Sequence, residues 1–149
     1  MTEGIYQVRG LDLSNMTLVE GTAGVIVIDP LVSTETAAAA LTLYRERRGN
    51  RPVTGMIYTH SHVDHFGGGP GVVSDNDVAA GRVPIQARDG FVEHAVAENV
   101  YAGTAMERRA AYMYGAALPV GTVTLISPTR DITRTGQEGL STASGSASR

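Results

Sequence analysis

The stretch from residue 24 to residue 59 constrains the fold more than any other, because GVIVID (24–29), a helix-forming segment and VTGMIYT (53–59) follow one another there. The first is a continuous β-branched run stopped by Pro30, the pattern of a strand buried on both faces. Ser33 is placed to cap TETAAAALTLYRERR (34–48), whose alanines and leucines favour helix, and Gly49 supplies its stop. A strand, a helix and a second strand imply a right-handed crossover between parallel neighbours. Both strands then end on the same edge of the sheet, where open α/β sheets bind their ligands. The segment leaving the second strand at that edge reads THSHVDHFGGG (59–69).

Three of the chain's four histidines fall in those residues. On an extended loop, residues two apart project to the same side, so His60 and His62 can bind one metal together. Asp64 and His65 then turn away and can hold a second ion a few Å off. The glycines at 67, 68 and 69 let the backbone pass close to the site without Cβ clashes. The chain has no cysteine, which excludes disulfides and thiolate ligands, and imidazole with carboxylate suits zinc first, with iron or manganese also compatible. A lone loop histidine is usually an ordinary surface residue, but four potential ligands within six residues after a buried strand point to a metal site.

Elsewhere, residues 5–10 and 15–21 read as two short strands joined through Asp12 and Asn15, and 83–87 as another. Residues 90–115 are helical in pattern with a break at Gly103, while 121–126 return to strand and can pair with 131–136. The end, STASGSASR, is low-complexity, so 139–149 are expected to be a disordered tail. A net charge of −3 with arginines scattered singly or in pairs excludes a nucleic-acid footprint. No apolar run approaches the roughly 20 residues of a membrane helix, and the N-terminus lacks a signal-peptide core, so the chain as written is expected to be cytoplasmic. Asp29 either supports the metal ligands or caps its turn, and His94 reads as an ordinary helix residue.

The THSHVDH stretch resembles the H-x-H-x-D-H signature of the metallo-β-lactamase fold. More narrowly, NMTLVEG, VIVIDPLVSTETAAAAL, IYTHSHVDHFGG, GFVEHAVAENVYAGTAM, RRAAYMYG and TVTLI look like the bacterial alkyl sulfatases of that superfamily, from about Gly4 to Glu138. The resemblance implies an α/β fold, the metallo-β-lactamase-like αββα sandwich, present here as an incomplete first half over residues 1–138. It implies two zinc ions, the first held by His60 and His62 and the second by Asp64 and His65, with Asp64 also a catalytic residue. It implies hydrolysis of alkyl sulfate esters by a metal-bound hydroxide, a small-molecule substrate and a homodimer in the complete protein.

The family's further ligands, two acidic residues and a histidine, come from sequence beyond the resemblance, so the expectation for this chain alone is weak zinc binding and low activity. An uncovered apolar sheet face is a second consequence. The metal motif alone would also permit a thioesterase or lactonase, and the missing ligands would permit a non-catalytic fragment. Arg109 and Tyr114 can contact a sulfate group, since a guanidinium suits tetrahedral oxyanions, although such residues more often pack or face solvent. Glu98 and Asn99 match the family pattern as structural hydrogen-bonding groups and are assigned no catalytic role.

Overall fold

The computed structural model describes residues 3–114 and 121–139. Among the described residues, six strands lie side by side in chain order: β1 (Ile5–Val8), β2 (Met16–Glu20), β3 (Val25–Ile28), β4 (Val53–Ile57), β5 (Ile85–Arg88) and β6 (Arg130–Ile132). The pairings of β1 with β2 and β2 with β3 are antiparallel, and those from β3 to β6 are parallel. The 34–48 segment forms α1 (Thr34–Arg48) between the parallel strands β3 and β4, as its position between two β-branched runs required. Its start is a capping box, in which Ser33 Oγ accepts from the Thr36 amide at 3.2 Å and Thr36 Oγ1 accepts from the Ser33 amide at 3.4 Å.

The sheet has two unequal faces. Val27 lies between Leu18 and Met56 in the register, and with Met16, Val25 and Ile85 these side chains are almost wholly removed from water. Each such side chain contributes about 2 kcal/mol of hydrophobic stabilisation. Ala37, Ala40, Leu41 and Tyr44 of α1 are buried in the same core. The other face carries Val19, Ile26, Ile28 and Ile57, all only half-buried. β3 was expected to be buried on both faces, and that expectation fails: its residues alternate between buried and half-buried. A continuous β-branched run fixes a strand but does not say how many of its faces are covered.

Further differences lie toward the end of the chain. Residues 121–126 form no strand but an irregular strap: Thr122 Oγ1 donates to Glu35 at 2.8 Å, and the Thr124 amide donates to Gly67 O at 2.9 Å. Residues 131–136 therefore have no strand there to pair with, and β6 joins β5 instead. The expected long helix is three pieces: α3 (Phe91–Val96), a π-helical turn (Ala97–Tyr101) and α4 (Gly103–Tyr114). A short helix, α2 (Asp75–Ala79), capped by Ser74, had no counterpart in the sequence reading. Of the expected tail, all but Gly139 lies outside the described residues. No helix among the described residues is long and apolar enough to cross a membrane.

Candidate metal centre

The parallel pairing of β3 and β4 brings both strand ends to one edge, and the Asp29 amide, donating to Ile57 O at 3.0 Å, ties them together. Asp29 holds a left-handed backbone with φ 56°, as does Leu31 with φ 67°, an arrangement that costs about 1 to 2 kcal/mol per non-glycine residue. The bend turns the Asp29 carboxylate, 8% exposed, onto the loop after β4. There it accepts from the Thr59 amide at 2.9 Å and from Thr59 Oγ1 at 2.7 Å, and its Oδ2 lies 2.9 Å from His65 Nδ1. That last contact is one of charge rather than a well-aligned hydrogen bond. Of the two roles left open for Asp29, the structure shows support of the histidine loop.

Gly67 and Gly68 serve a different purpose from the one expected of them. A Cβ on Gly68 would overlap the carbonyls of Pro30 and Ser33, and one on Gly67 would overlap Val32 O. The close approach is thus to the turn between β3 and α1, and it presses the histidine loop onto the strained Asp29–Leu31 bend.

Three imidazoles cluster above this base. The His60 ring lies 4.6 Å from that of His62 and 4.0 Å from that of His65, centroid to centroid. Hydrogen-bond partners assign the tautomers. Thr59 Oγ1 gives its proton to Asp29, so at 3.0 Å it accepts from His60 Nδ1 and leaves His60 Nε2 as the basic nitrogen. His62 Nε2 lies 3.2 Å from Glu98 Oε1, which in a neutral ring favours the lone pair on Nδ1. His60 Nε2 and His62 Nδ1 face each other at 3.1 Å. Asp64 and His65 sit on the 3-10 turn Val63–His65, with His65 Nε2 3.3 Å from Asp64 Oδ2, and Ser14 Oγ donates to Asp64 O beneath them.

The electrostatics follow from this packing. Burial and the neighbouring His65 and His62 rings lower the pKa of His60, which keeps it a neutral lone-pair donor at pH 7. Burial opposes a charge on His65, but the carboxylates of Asp29 and Asp64 outweigh it and push its pKa up to about 9. Asp64 is desolvated too, yet its contact with His65 holds it below the usual carboxylate range. The donors are of the kind zinc takes, the imidazoles of His60 and His62 and a His65–Asp64 pair. Among the described residues, however, no three His, Asp or Glu side chains are arranged to surround one ion. The set fits in kind and is incomplete in number.

Beside the loop, between it and α4, opens a cleft of about 560 Å³. His62 and Asp64 border it, and so do Arg109 and Tyr114, the two residues considered for sulfate contact. Leu13, Val32, Met106 and Met113 make much of the remaining wall apolar. His94 is exposed on α3, as expected of an ordinary helix residue. Glu98, expected as a structural hydrogen-bonding group, accepts from Ser61 Oγ at 3.0 Å and sets its other carboxylate oxygen against His62, a partner that no local pattern announced.

Against known proteins, the profile of the Metallo-beta-lactamase superfamily matches residues 9–141. A linear primary-alkylsulfatase from Pseudomonas sp. is 58% identical over 92% of this chain, which spans 23% of that protein. An (R)-specific secondary-alkylsulfatase from Pseudomonas sp. is 52% identical over 78% of this chain and 18% of its own length. An alkyl/aryl-sulfatase of Saccharomyces cerevisiae is 48% identical over 87% of this chain and 22% of its own. The solved structure of the stereoselective inverting sec-alkylsulfatase Pisa1 from Pseudomonas sp. superposes with a TM-score of 0.79 at 42% identity, over 90% of this chain and 24% of that one. The chain thus spans less than a quarter of the length of these relatives. With that profile covering most of its residues and that fold around its histidine loop, the chain belongs to the metallo-β-lactamase superfamily.

Proposed function

We propose that this chain carries part of the metal centre of a zinc-dependent hydrolase of alkyl sulfate esters. The observation that carries the reading is the pair of basic nitrogens, His60 Nε2 and His62 Nδ1, facing each other at 3.1 Å in a chain 58% identical to an alkylsulfatase. Two lone pairs directed at one another repel unless a proton or a cation lies between them. His60 and His62 would hold one zinc ion, and Asp64 with His65 a second. When bound, zinc lowers the pKa of a water and offsets charge on the sulfate oxygens.

The chain's own residues do the remainder. Asp29 and Thr59 fix the His60 ring, and Asp64 holds His65 in place until its proton is displaced. Arg109 and Tyr114 both line the cleft, where a guanidinium would suit the sulfate group, and the apolar wall suits an alkyl chain. Because no three described donors surround one ion, the 149-residue chain by itself binds zinc weakly and turns over slowly.

The test is elemental analysis of the purified chain with sulfate release from dodecyl sulfate, set against a thioester and a lactone. Detectable zinc and a preference for the sulfate ester are expected, both lost in a His60→Ala/His62→Ala double variant. Preference for the thioester or the lactone would replace the sulfatase reading with another chemistry of the same fold.

A further inference from the structure

Glu98 stands outside the H-x-H-x-D-H stretch, on the π-helical turn Ala97–Tyr101. Such turns are rare and recur at functional sites. Both of its carboxylate oxygens are used on neighbouring residues of the histidine loop. Oε2 accepts from Ser61 Oγ at 3.0 Å, and Oε1 lies 3.2 Å from His62 Nε2. Asn99, from the same turn, donates to Ala95 O at 2.8 Å and reaches Ser61 O at 3.5 Å, so the turn grips the loop through side chain and backbone alike.

This contact does little for stability. The side chains of His62 and Glu98 are 48% and 33% exposed, and ion pairs so open to water contribute between nothing and about 1 kcal/mol. Its consequence is directional. A carboxylate oxygen 3.2 Å from Nε2 favours the proton of a neutral His62 ring on that nitrogen by charge and leaves the lone pair on Nδ1, the atom 3.1 Å from His60 Nε2. Thr59, backed by Asp29, imposes the complementary choice on His60. Carboxylate partners on the far nitrogen of a ligating histidine fix its tautomer and raise its basicity.

We propose that Glu98 is a positioning residue that holds His62 in the Nε2–H tautomer and presents its Nδ1 to the metal position shared with His60. For the metal this rests on the reading of the preceding section; for the tautomer it does not.

The experiment is long-range 15N–1H correlation NMR on the 149-residue chain after chelation, followed by zinc calorimetry. Wild type, Glu98→Ala, Glu98→Gln and, as a control on the exposed side of α3, Glu93→Gln are compared. Wild type and Glu93→Gln should show His62 protonated on Nε2, and Glu98→Ala a mixture of tautomers. Glu98→Gln should fall between the two, because it keeps the shape and the acceptor oxygen of the side chain but loses the charge. Zinc affinity should fall about 10- to 100-fold in Glu98→Ala and less in Glu98→Gln. A wild-type His62 protonated on Nδ1, or tautomer populations unchanged in Glu98→Ala, would overturn the proposal. Loss of the tautomer preference in Glu98→Ala, together with a wild-type chain that takes up no zinc, would sink the metal reading and leave the control of His62 by Glu98 standing.

Discussion

The two ends of the central strands hold their polar groups in opposite ways. At the end where β3 begins, Glu20 accepts from Tyr44 at 2.9 Å and from Arg48 at 3.1 Å, with Arg51 within 3.9 Å. Arg48 also lies over the Tyr6 ring at 4.6 Å. Every charge in that cluster meets its opposite, and Gly49 beside it has open space around it. At the end where β3 and β4 finish, three imidazoles crowd one another, two basic nitrogens face each other, and the backbone is bent into the left-handed region at Asp29 and Leu31. The first arrangement is what closes a fold. The second keeps backbone strain and crowded imidazoles in place, as functional sites commonly do.

The sharpest break in this comparison is the His60→Ala/His62→Ala double variant. It should lower zinc affinity by at least about a hundredfold, since both donors of one position are lost. The melting temperature of the metal-free chain should stay level or rise, because the variant also removes a lone-pair repulsion. A marked fall in metal-free stability would mean that the histidine cluster closes the fold as the Glu20 cluster does. Next comes a pair of glycine variants. Gly68→Ala forces a Cβ into the carbonyls of Pro30 and Ser33 and should cost about 3 kcal/mol, whereas Gly103→Ala meets nothing and lies at no positive φ, so it should cost nothing measurable. Urea unfolding of both measures the difference, and equal losses would show that the bend at the metal edge is not under compression.

The contrast between the ends was only partly legible in the sequence. The strand, helix and strand of residues 24–59 carry short-range signals, namely a β-branched run, a Ser33 cap and a Gly49 stop, and all three appear where expected. The histidine loop was legible because its spacing is chemical rather than conformational. Residues 121–126 misled because alternating β-branched residues look the same whether they join a ladder or cross the glycine loop as a strap. Glu98 was legible as a structural hydrogen-bonding group through the resemblance alone, and its partner was not, because a π-helical turn sets it against Ser61, 37 residues away, and no local pattern reports such a contact. Asp29 became informative only once its backbone conformation was seen.

At the charge-paired end, Glu20→Ala should cost about 2 kcal/mol by leaving the Tyr44 hydroxyl and the Arg48 guanidinium without their acceptor, and it should leave zinc affinity unchanged. Calorimetry with urea unfolding checks both. A loss of zinc affinity comparable to that of the histidine variant would show that the two ends are coupled through β3.

The smallest effect is also the most discriminating, because the two ends should lose stability on opposite sides of the pH scale. Arg48 and Tyr44 hold the Glu20 carboxyl below its ordinary value despite partial burial. A group whose pKa is lowered on folding contributes above its unfolded value of 4.5, and that contribution is lost as pH falls through the folded value. His65 is the reverse case. Its folded pKa of about 9 lies above the unfolded 6.5, so its contribution is complete below 6.5 and disappears as pH rises through about 9. Urea unfolding of the chelated chain from pH 4 to pH 9.5 should therefore show two separate declines. Glu20→Gln should reduce only the acid one, whereas His65→Gln should flatten the alkaline one between 6.5 and about 9 and also weaken the acid one, because Asp64 loses the partner that lowers its pKa. If His65→Gln leaves the alkaline limb intact, the carboxylates of Asp29 and Asp64 do not hold a proton on that ring. Zinc would then have no proton to displace there, and its uptake would lose the rise with pH that such a displacement imposes.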